Sequence, residues 1–266
     1  MSLAQATKDL VRRVGVLGAR CVLQAGSKPF QLTDTVTVVI APHQDDETFG
    51  CGGIIARKRS EGLTVHVVFI TDGSASHPGH ARLSPAEISA LRRREAMKAL
   101  GLLGVETCAV HFLDEPDGTL KEVRGERRGR LVEVLGGLLE SLGPGEVFLP
   151  CHPDGSSEHD ATFGFVQDAL ARRHLRPVVW QYPVWAWWNP VLLLRCWAAN
   201  GGCRSLPIED YYPLKQRAAA AYQSQIAPLA PETAAVLPAA LLNTFLARTE
   251  YFFRSANPPA TDEHTR

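Results

Sequence analysis

The chain has 266 residues, of which 45% are apolar, 8% aromatic and 21% charged. That length suits one large α/β domain or two small ones, and the apolar share supplies a sizeable core. Lys plus Arg and Asp plus Glu both number 28, so the formal net charge is zero. This balance argues against a dedicated nucleic-acid binder, which carries a basic excess or a clustered basic face, and against disorder.

Residues 1–34 read as an N-terminal helical extension. Its apolar stretch is broken by Arg12, Arg13 and Arg20 and preceded by Asp9, which is unlike a secretory signal. Nowhere does an apolar run approach the length of about 20 residues that a transmembrane helix needs. The amphipathic start fits packing on its own domain, with peripheral contact to a membrane surface as the other reading. Six cysteines at irregular spacing, with no C-x-x-C pair, read as free thiols of a reducing compartment, hence a cytoplasmic protein.

Residues 35–255 read as a single α/β domain. VTVVIA (36–41) is almost continuously apolar, as expected of a strand covered on both faces. Residues 50–53 lead into a helical segment ending near 61–62, and a second strand follows at 63–71. Ser84-Pro85-Ala86-Glu87 has the form of a capping box and opens a helix that stops at Gly101. A strand is predicted over 106–113, a helix over 120–142, a strand over 146–150, a helix over 159–174 and a strand over 177–182. This alternation predicts a Rossmann-like, doubly wound, mostly parallel sheet with helices on both faces. Residues 256–266 form a polar tail.

In such a fold, functional residues lie at the carboxyl ends of strands. Three polar clusters stand there. The first, His43-Gln44-Asp45-Asp46-Glu47, sets three carboxylates beside an imidazole directly after a buried strand. Helix capping would use one or two acids; clustered carboxylates repel, and a bound cation relieves that repulsion. The glycines that follow (Gly50, Gly52, Gly53) are misplaced for a dinucleotide fingerprint, because the acids occupy the position directly after the strand. They suit close approach of helix and strand instead. The second cluster spans Thr71 to His80 and includes Asp72 and His77. The third, residues 150–160, carries His152, Asp154, Glu158, His159 and Asp160. One His and one carboxylate from the first cluster with a His from the third give a His₂Asp set. That set suits Zn²⁺ or a similar divalent ion and leaves positions for water and substrate.

At these residues the sequence resembles the PIG-L/LmbE-like family of zinc-dependent N-acetylglucosaminyl deacetylases. Pro42-His43-Gln44-Asp45-Asp46-Glu47 matches its P/A-H-P-D-D-E motif, with Gln44 in place of proline. Thr71-Asp72-Gly73 matches T-D/N-G, and Arg92 with Glu95 through Ala99-Leu100-Gly101 matches R-x-x-E…A-x-x-L-G. Phe112-Leu113-Asp114 and the late Lys215, Ala218, Ser224 and Gln225 complete the order. The resemblance implies His43, Asp46 and His159 as metal ligands, Asp45 as general base and Arg92 as a substrate contact, with Asp72 and Glu47 beside the substrate. The family commonly has H-x-D-H before this helix. Here the residue three before His159 is Ser156, so the acid role falls to His152 if the intervening stretch loops out; with Ser156 facing the metal instead, that role is vacant. The implied reaction is hydrolysis of an N-acetyl group on a small-molecule or lipid-linked amino sugar.

All five tryptophans lie within residues 178–197, interrupted by Pro183 and Pro190. They read equally as a packed cover over the sheet edge or as a stacking surface for sugar or lipid, with Trp187 the candidate contact. Two other functions stay open: a metal-dependent amidase or esterase on a non-sugar substrate, and a non-catalytic sugar-binding protein with a decayed site.

Overall fold

The apolar run after Thr35 forms β2 (Thr37–Ala41), buried at every position. The computed structural model describes residues 3–255; the polar tail at 256–266 lies outside them. Before β2 come α1 (Leu3–Gly26) and a short β1 (Ser27–Pro29). After it, α2 (Asp46–Ser60), β3 (Val65–Thr71), α3 (Pro85–Leu102), β4 (Val110–Glu115) and α4 (Gly125–Leu142) alternate. Then follow β5 (Glu146–Pro150), α5 (Ser157–Arg172), β6 (Val178–Tyr182) and α6 (Pro190–Ala199). The chain ends with β7 (Cys203–Pro207), α7 (Tyr212–Ala219), α8 (Gln223–Ile226), α9 (Ala239–Phe245) and β8 (Thr249–Arg254).

Among the described residues, eight strands form one sheet in the order β1-β7-β8-β6-β5-β2-β3-β4. Neighbours are parallel except at β8, which runs antiparallel to both β6 and β7. The chain winds outward from β2 through β3 to β4, then returns to place β5 on the other side of β2. The reversal leaves a crevice between the carboxyl ends of β2 and β5, where ligands bind in open α/β sheets.

Alternation along the strands fills two cores. Val39, Ala41, Phe69 and Phe148 face α1, α2, α3, α7 and α9 through Leu23, Ile54, Leu100, Ala218 and Phe245. Val38, Ile40, Val68 and Leu149 face α4 and α5 through Leu135, Leu139, Phe165 and Ala169. The expected Ser84 capping box is present, Ser84 accepting from the Glu87 N–H while Glu87 accepts from that of Ser84.

Three features differ from the sequence expectation. Residues 27–29, read as part of a helical extension, pair with β7 and so join the sheet. Residues 107–109 form a 3₁₀ turn, which delays β4 to Val110. Strands β7 and β8 carry Cys, Arg, Glu and Pro among their apolar residues, and this masks the alternation that marks strands elsewhere.

Helix α2 carries the acidic cluster, and its glycines set its depth. A Cβ on Gly50 would lie 2.2 Å from the Tyr182 ring, and one on Gly53 would lie 2.5 Å from Ile208. A buried ion pair holds the same stretch: Lys215 Nζ meets Glu250 at 2.7 Å and donates to the Phe49 carbonyl at 2.8 Å. Glu250 in turn accepts the Gly53 and Ile54 N–H groups at 2.7 and 2.9 Å. Gly50→Ala is therefore expected to lower stability by about 1–3 kcal/mol through overpacking. Gly101→Ala, where the added methyl meets open space, is expected to raise it by up to about 1 kcal/mol. Urea unfolding of the two variants measures both.

Candidate metal centre

The loop leaving β2 is fixed before α2 begins. Gln44, in the place where the resembled family has proline, donates from Nε2 to the Thr71 carbonyl at 2.7 Å and so ties the loop to the end of β3. The His43 N–H donates to Asp46 Oδ2 at 3.0 Å. Asp45 takes a φ of 151° with ψ −29°, a strained backbone for a residue with a side chain. Glu47 Oε2 holds it there by accepting the Asp45 N–H at 3.0 Å.

Across the crevice, α5 presents His159. His43 Nδ1 and His159 Nε2 approach the same Asp46 oxygen, at 3.1 and 3.3 Å, and one ligand atom from each of the three residues lies within 4.8 Å of the others. His159 is fully buried, and its Nε2 has no hydrogen-bond partner. Its Nδ1 meets Asp154 Oδ2 at 2.6 Å. Asp154 is fixed by the N–H groups of Val184, Trp185 and Ala186 at 3.1, 2.9 and 2.9 Å. A carboxylate on one ring nitrogen with the other left bare and aimed at a carboxylate is how metal-ligating histidines are oriented. Two imidazoles and one carboxylate form a donor set that suits zinc, with further coordination positions left for water or substrate. On these counts His43, Asp46 and His159 fit a divalent cation.

The electrostatics agree. Burial lowers the pKa of His159, but Asp46 and Asp154 outweigh it and raise the pKa to about 9. Burial likewise opposes protonation of His43, yet contacts with Asp117, Asp46 and Glu158 push its pKa well above the usual imidazole value. Asp46, although buried, is held far below the usual carboxylate range by His159 and His43. The nest favours positive charge at its centre.

Asp45 stands beside this set without joining it. Burial raises its carboxyl to about 7, against the pull of Arg92 and with a push from Asp46. Arg92, buried on α3, donates from Nη2 to the Gln44 carbonyl and lies 3.4 Å from Asp45 Oδ2. His43, Asp45, Asp46, Arg92 and Asp117 line one side of a cavity of about 310 Å³. Phe49, Val184, Trp185, Val236, Leu237 and Phe245 give it an apolar wall.

Other expected contacts fall elsewhere. His152 lies outside this cavity, its side chain 49% exposed, paired with Asp160 at 3.1 Å and stacked on Phe163. The Gly155–Ser156 turn leads into α5 and points His159 inward while leaving His152 at the surface; Ser156, at the start of α5, is not in the cavity lining either. Trp187 is buried against Tyr251 under the Arg20 guanidinium, and Trp185 takes the cavity position. Asp72 accepts the N–H groups of Ser74 and Asp117 and so shapes the loops rather than the cavity wall. Glu47 sits behind Asp45, accepting from Tyr222 and Thr48, and burial raises its carboxyl to about 7.

Sequence reasoning missed Asp117, whose Oδ1 lies 3.2 Å from His43 Nε2. Its signal was the Pro116-Asp117-Gly118 turn at the carboxyl end of β4, whereas Asp114 alone was matched to the family pattern. Glu158, one acid of the third cluster, meets His43 Nε2 at 2.7 Å and accepts the Leu120 N–H at 2.9 Å. The R-x-x-E and S-Q elements prove to be partners, since Glu95 accepts both the N–H and the hydroxyl of Ser224, at 2.8 and 2.6 Å.

Residues 38–170 match the model of the PIG-L family, described as GlcNAc-PI de-N-acetylase. No curated protein matches the chain. Among solved structures, N,N'-diacetylchitobiose deacetylase from Pyrococcus horikoshii is 23% identical with a TM-score of 0.60, and the match covers 98% of each chain. The 4-carboxy-2-hydroxymuconate hydratase GalB from Pseudomonas putida is 17% identical with a TM-score of 0.63, over 87% of this chain and 100% of that one. A zinc-inhibited form of teicoplanin deacetylase is 15% identical with a TM-score of 0.56, over 84% and 100%. A hydratase beside two deacetylases makes these likenesses evidence of fold and not of reaction.

Asp154→Asn should keep the fold and weaken divalent-metal binding by about 10–100-fold, because it loosens the partner that orients His159. His159→Ala should abolish binding. Metal content by elemental analysis, with titration by isothermal calorimetry, checks both.

Proposed function

The chain belongs to the PIG-L family of GlcNAc-PI de-N-acetylases, and from that premise we propose that it is a zinc-dependent hydrolase. Its substrate is the N-acetyl group of an N-acetylglucosamine-type conjugate, either a small molecule or lipid-linked. The observation that carries this reading is the bare, buried Nε2 of His159 beside Asp46 and His43, with the Asp45 carboxylate and Arg92 in the same cavity.

In this reading His43, Asp46 and His159 hold the cation. When bound it supplies Lewis acidity, polarising a carbonyl and bringing the pKa of water toward about 7. The remaining work falls to the chain's own groups. Asp45 takes the proton from water as the oxygen attacks the amide carbon. A carboxyl raised to about 7 is suited to hold that proton and return it. It then delivers the proton to the departing amine nitrogen, so one carboxyl serves both steps and His152 is not needed. Arg92 fixes the Gln44 carbonyl and the Asp45 side chain, which keeps the base aimed into the cavity. Glu158 and Asp117 hold the His43 ring from its outer nitrogen. The six free cysteines support a cytoplasmic setting.

Release of acetate and free amine from N-acetylglucosamine conjugates, dependent on added zinc, tests the activity. Asp45→Asn should retain the metal and lose about 10²–10⁴-fold in turnover. Near-normal turnover by that variant with full metal content removes Asp45 from the role of base.

A further inference from the structure

The cavity beside the candidate metal centre has more apolar surface than an N-acetyl sugar uses. Such a sugar carries hydroxyls on most of its carbons, and its acetyl methyl is its one fully apolar group. In the proposed reaction the acetamide sits at the polar wall, where His43, Asp45, Asp46 and Arg92 stand. On the other wall, Phe49, Val184, Leu237 and Phe245 are buried members of the main core, so they leave little surface for a ligand to cover. The exposed apolar surface there belongs to two residues. Trp185 is half-buried on the turn after β6, and Val236, shortly before α9, is 38% exposed.

Both residues are held in fixed relation to the reacting groups. The Trp185 N–H donates to Asp154 Oδ2 at 2.9 Å, and Asp154 orients His159. Val236 is followed by Leu237, whose N–H reaches the Gln225 carbonyl at 2.9 Å. The adjacent Ser224 is bound by Glu95 on α3, the helix that carries Arg92. A preformed apolar surface of this kind adds affinity without the cost of ordering it.

Charge argues against a phosphate in the same place. Arg92 is the one Lys or Arg in the cavity lining, and the Gln44 carbonyl and Asp45 already engage it. Asp45, Asp46 and Asp117 share that lining. A phosphate would find no uncommitted basic side chain there, and the carboxylates would repel it.

We propose that Trp185 and Val236 are specificity-determining residues that receive an uncharged alkyl or aryl group of the substrate. This deepens the deacetylase reading and rests on it for the acetamide's place at the polar wall. The apolar group is either the glycosidic substituent or an acyl chain longer than acetyl, and the wall meets the same chemistry in both.

Isothermal calorimetry on the zinc-loaded Asp45→Asn protein tests the proposal. It compares phenyl with methyl N-acetyl-β-glucosaminide, N-hexanoyl with N-acetyl glucosamine, and both sets with N-acetylglucosamine 1-phosphate. The phenyl glycoside or the hexanoyl amide should bind about tenfold or more tightly than its small counterpart, and the arm that gains names the source of the group. The 1-phosphate should gain nothing. Adding Val236→Asp or Trp185→Ala should remove most of the gain with an unchanged melting temperature, whereas Val236→Leu should keep it. Equal affinity in both arms overturns the proposal. So does tightest binding of the 1-phosphate, or a gain that Val236→Asp and Trp185→Ala both retain. Acetate release by the wild-type chain from the methyl glycoside is measured in parallel. Release without any apolar preference removes the role of Trp185 and Val236 and leaves the reaction standing. An apolar preference in binding without release does the reverse.

Discussion

Asp154 is a fully buried carboxylate with no Lys or Arg among its described partners, and the arrangement of the crevice depends on how it is satisfied. Three successive N–H groups after β6, the His159 imidazole and the Cys151 thiol all converge on its two oxygens. A charge this deep is tolerable only when fully hydrogen-bonded. Satisfying it fixes three things at once: the loop after β5 on which it stands, the turn after β6 that reaches the cavity through Val184 and Trp185, and the direction of His159. The ring nitrogen left over can only face Asp46. The donor set is therefore assembled by the need to bury one acid properly, and the switch point between β2 and β5 supplies the space.

A second buried acid plays the corresponding part for α2. Glu250 reaches from β8 into the middle of the helix, taking the Gly53 and Ile54 N–H groups, and Lys215 neutralises it while capturing the Phe49 carbonyl. Buried ion pairs contribute little net stability after desolvation. Here the pair's effect is positional, because α2 begins with Asp46 and any slide along its axis would move Asp46 away from His159. Lys215, recognisable in sequence only as one letter of a weak late motif, thus acts on the centre from a distance.

Much of the fold is legible in the sequence. The strand-helix alternation from β2 to β6 follows from apolar runs with period two and from helix signals such as the Ser84 capping box. The first cluster was legible because three acids after a buried strand have no ordinary structural use. What sequence spacing could not show was direction. His152 and His159 lie seven positions apart around a turn, and only the path through Gly155 decides which imidazole faces Asp46. Counting back from His159 reaches Ser156, so His152 could join the site only if the stretch between looped out; the turn keeps it at the surface. Asp117 escaped notice because an acid in a Pro-Asp-Gly turn is what any surface loop contains, and only its contact with His43 distinguishes it. The tryptophan segment divided in the same way: Trp187 went to the core and Trp185 to the cavity, although the two are near neighbours in sequence.

The cavity's two walls have separate origins. The polar wall belongs to loops of the parallel sheet, where β-strand ends place acids and imidazoles. Much of the apolar wall comes from the chain after α7, through Val236, Leu237 and Phe245. Polar contacts around α8 tie that stretch down. Ser224 is bound by Glu95, its carbonyl faces His77 Nε2 at 3.1 Å, and the Leu237 N–H reaches the Gln225 carbonyl at 2.9 Å. The R-x-x-E helix and the S-Q element therefore act as one device, in which α3 aims Arg92 at Asp45 with one side chain and anchors the apolar wall with another, Glu95. Loss of the Glu95 contact would free the wall and leave the acidic side of the crevice intact, so the two walls can vary independently. A fold built this way can keep the edge lined by acids and imidazoles while the facing surface changes.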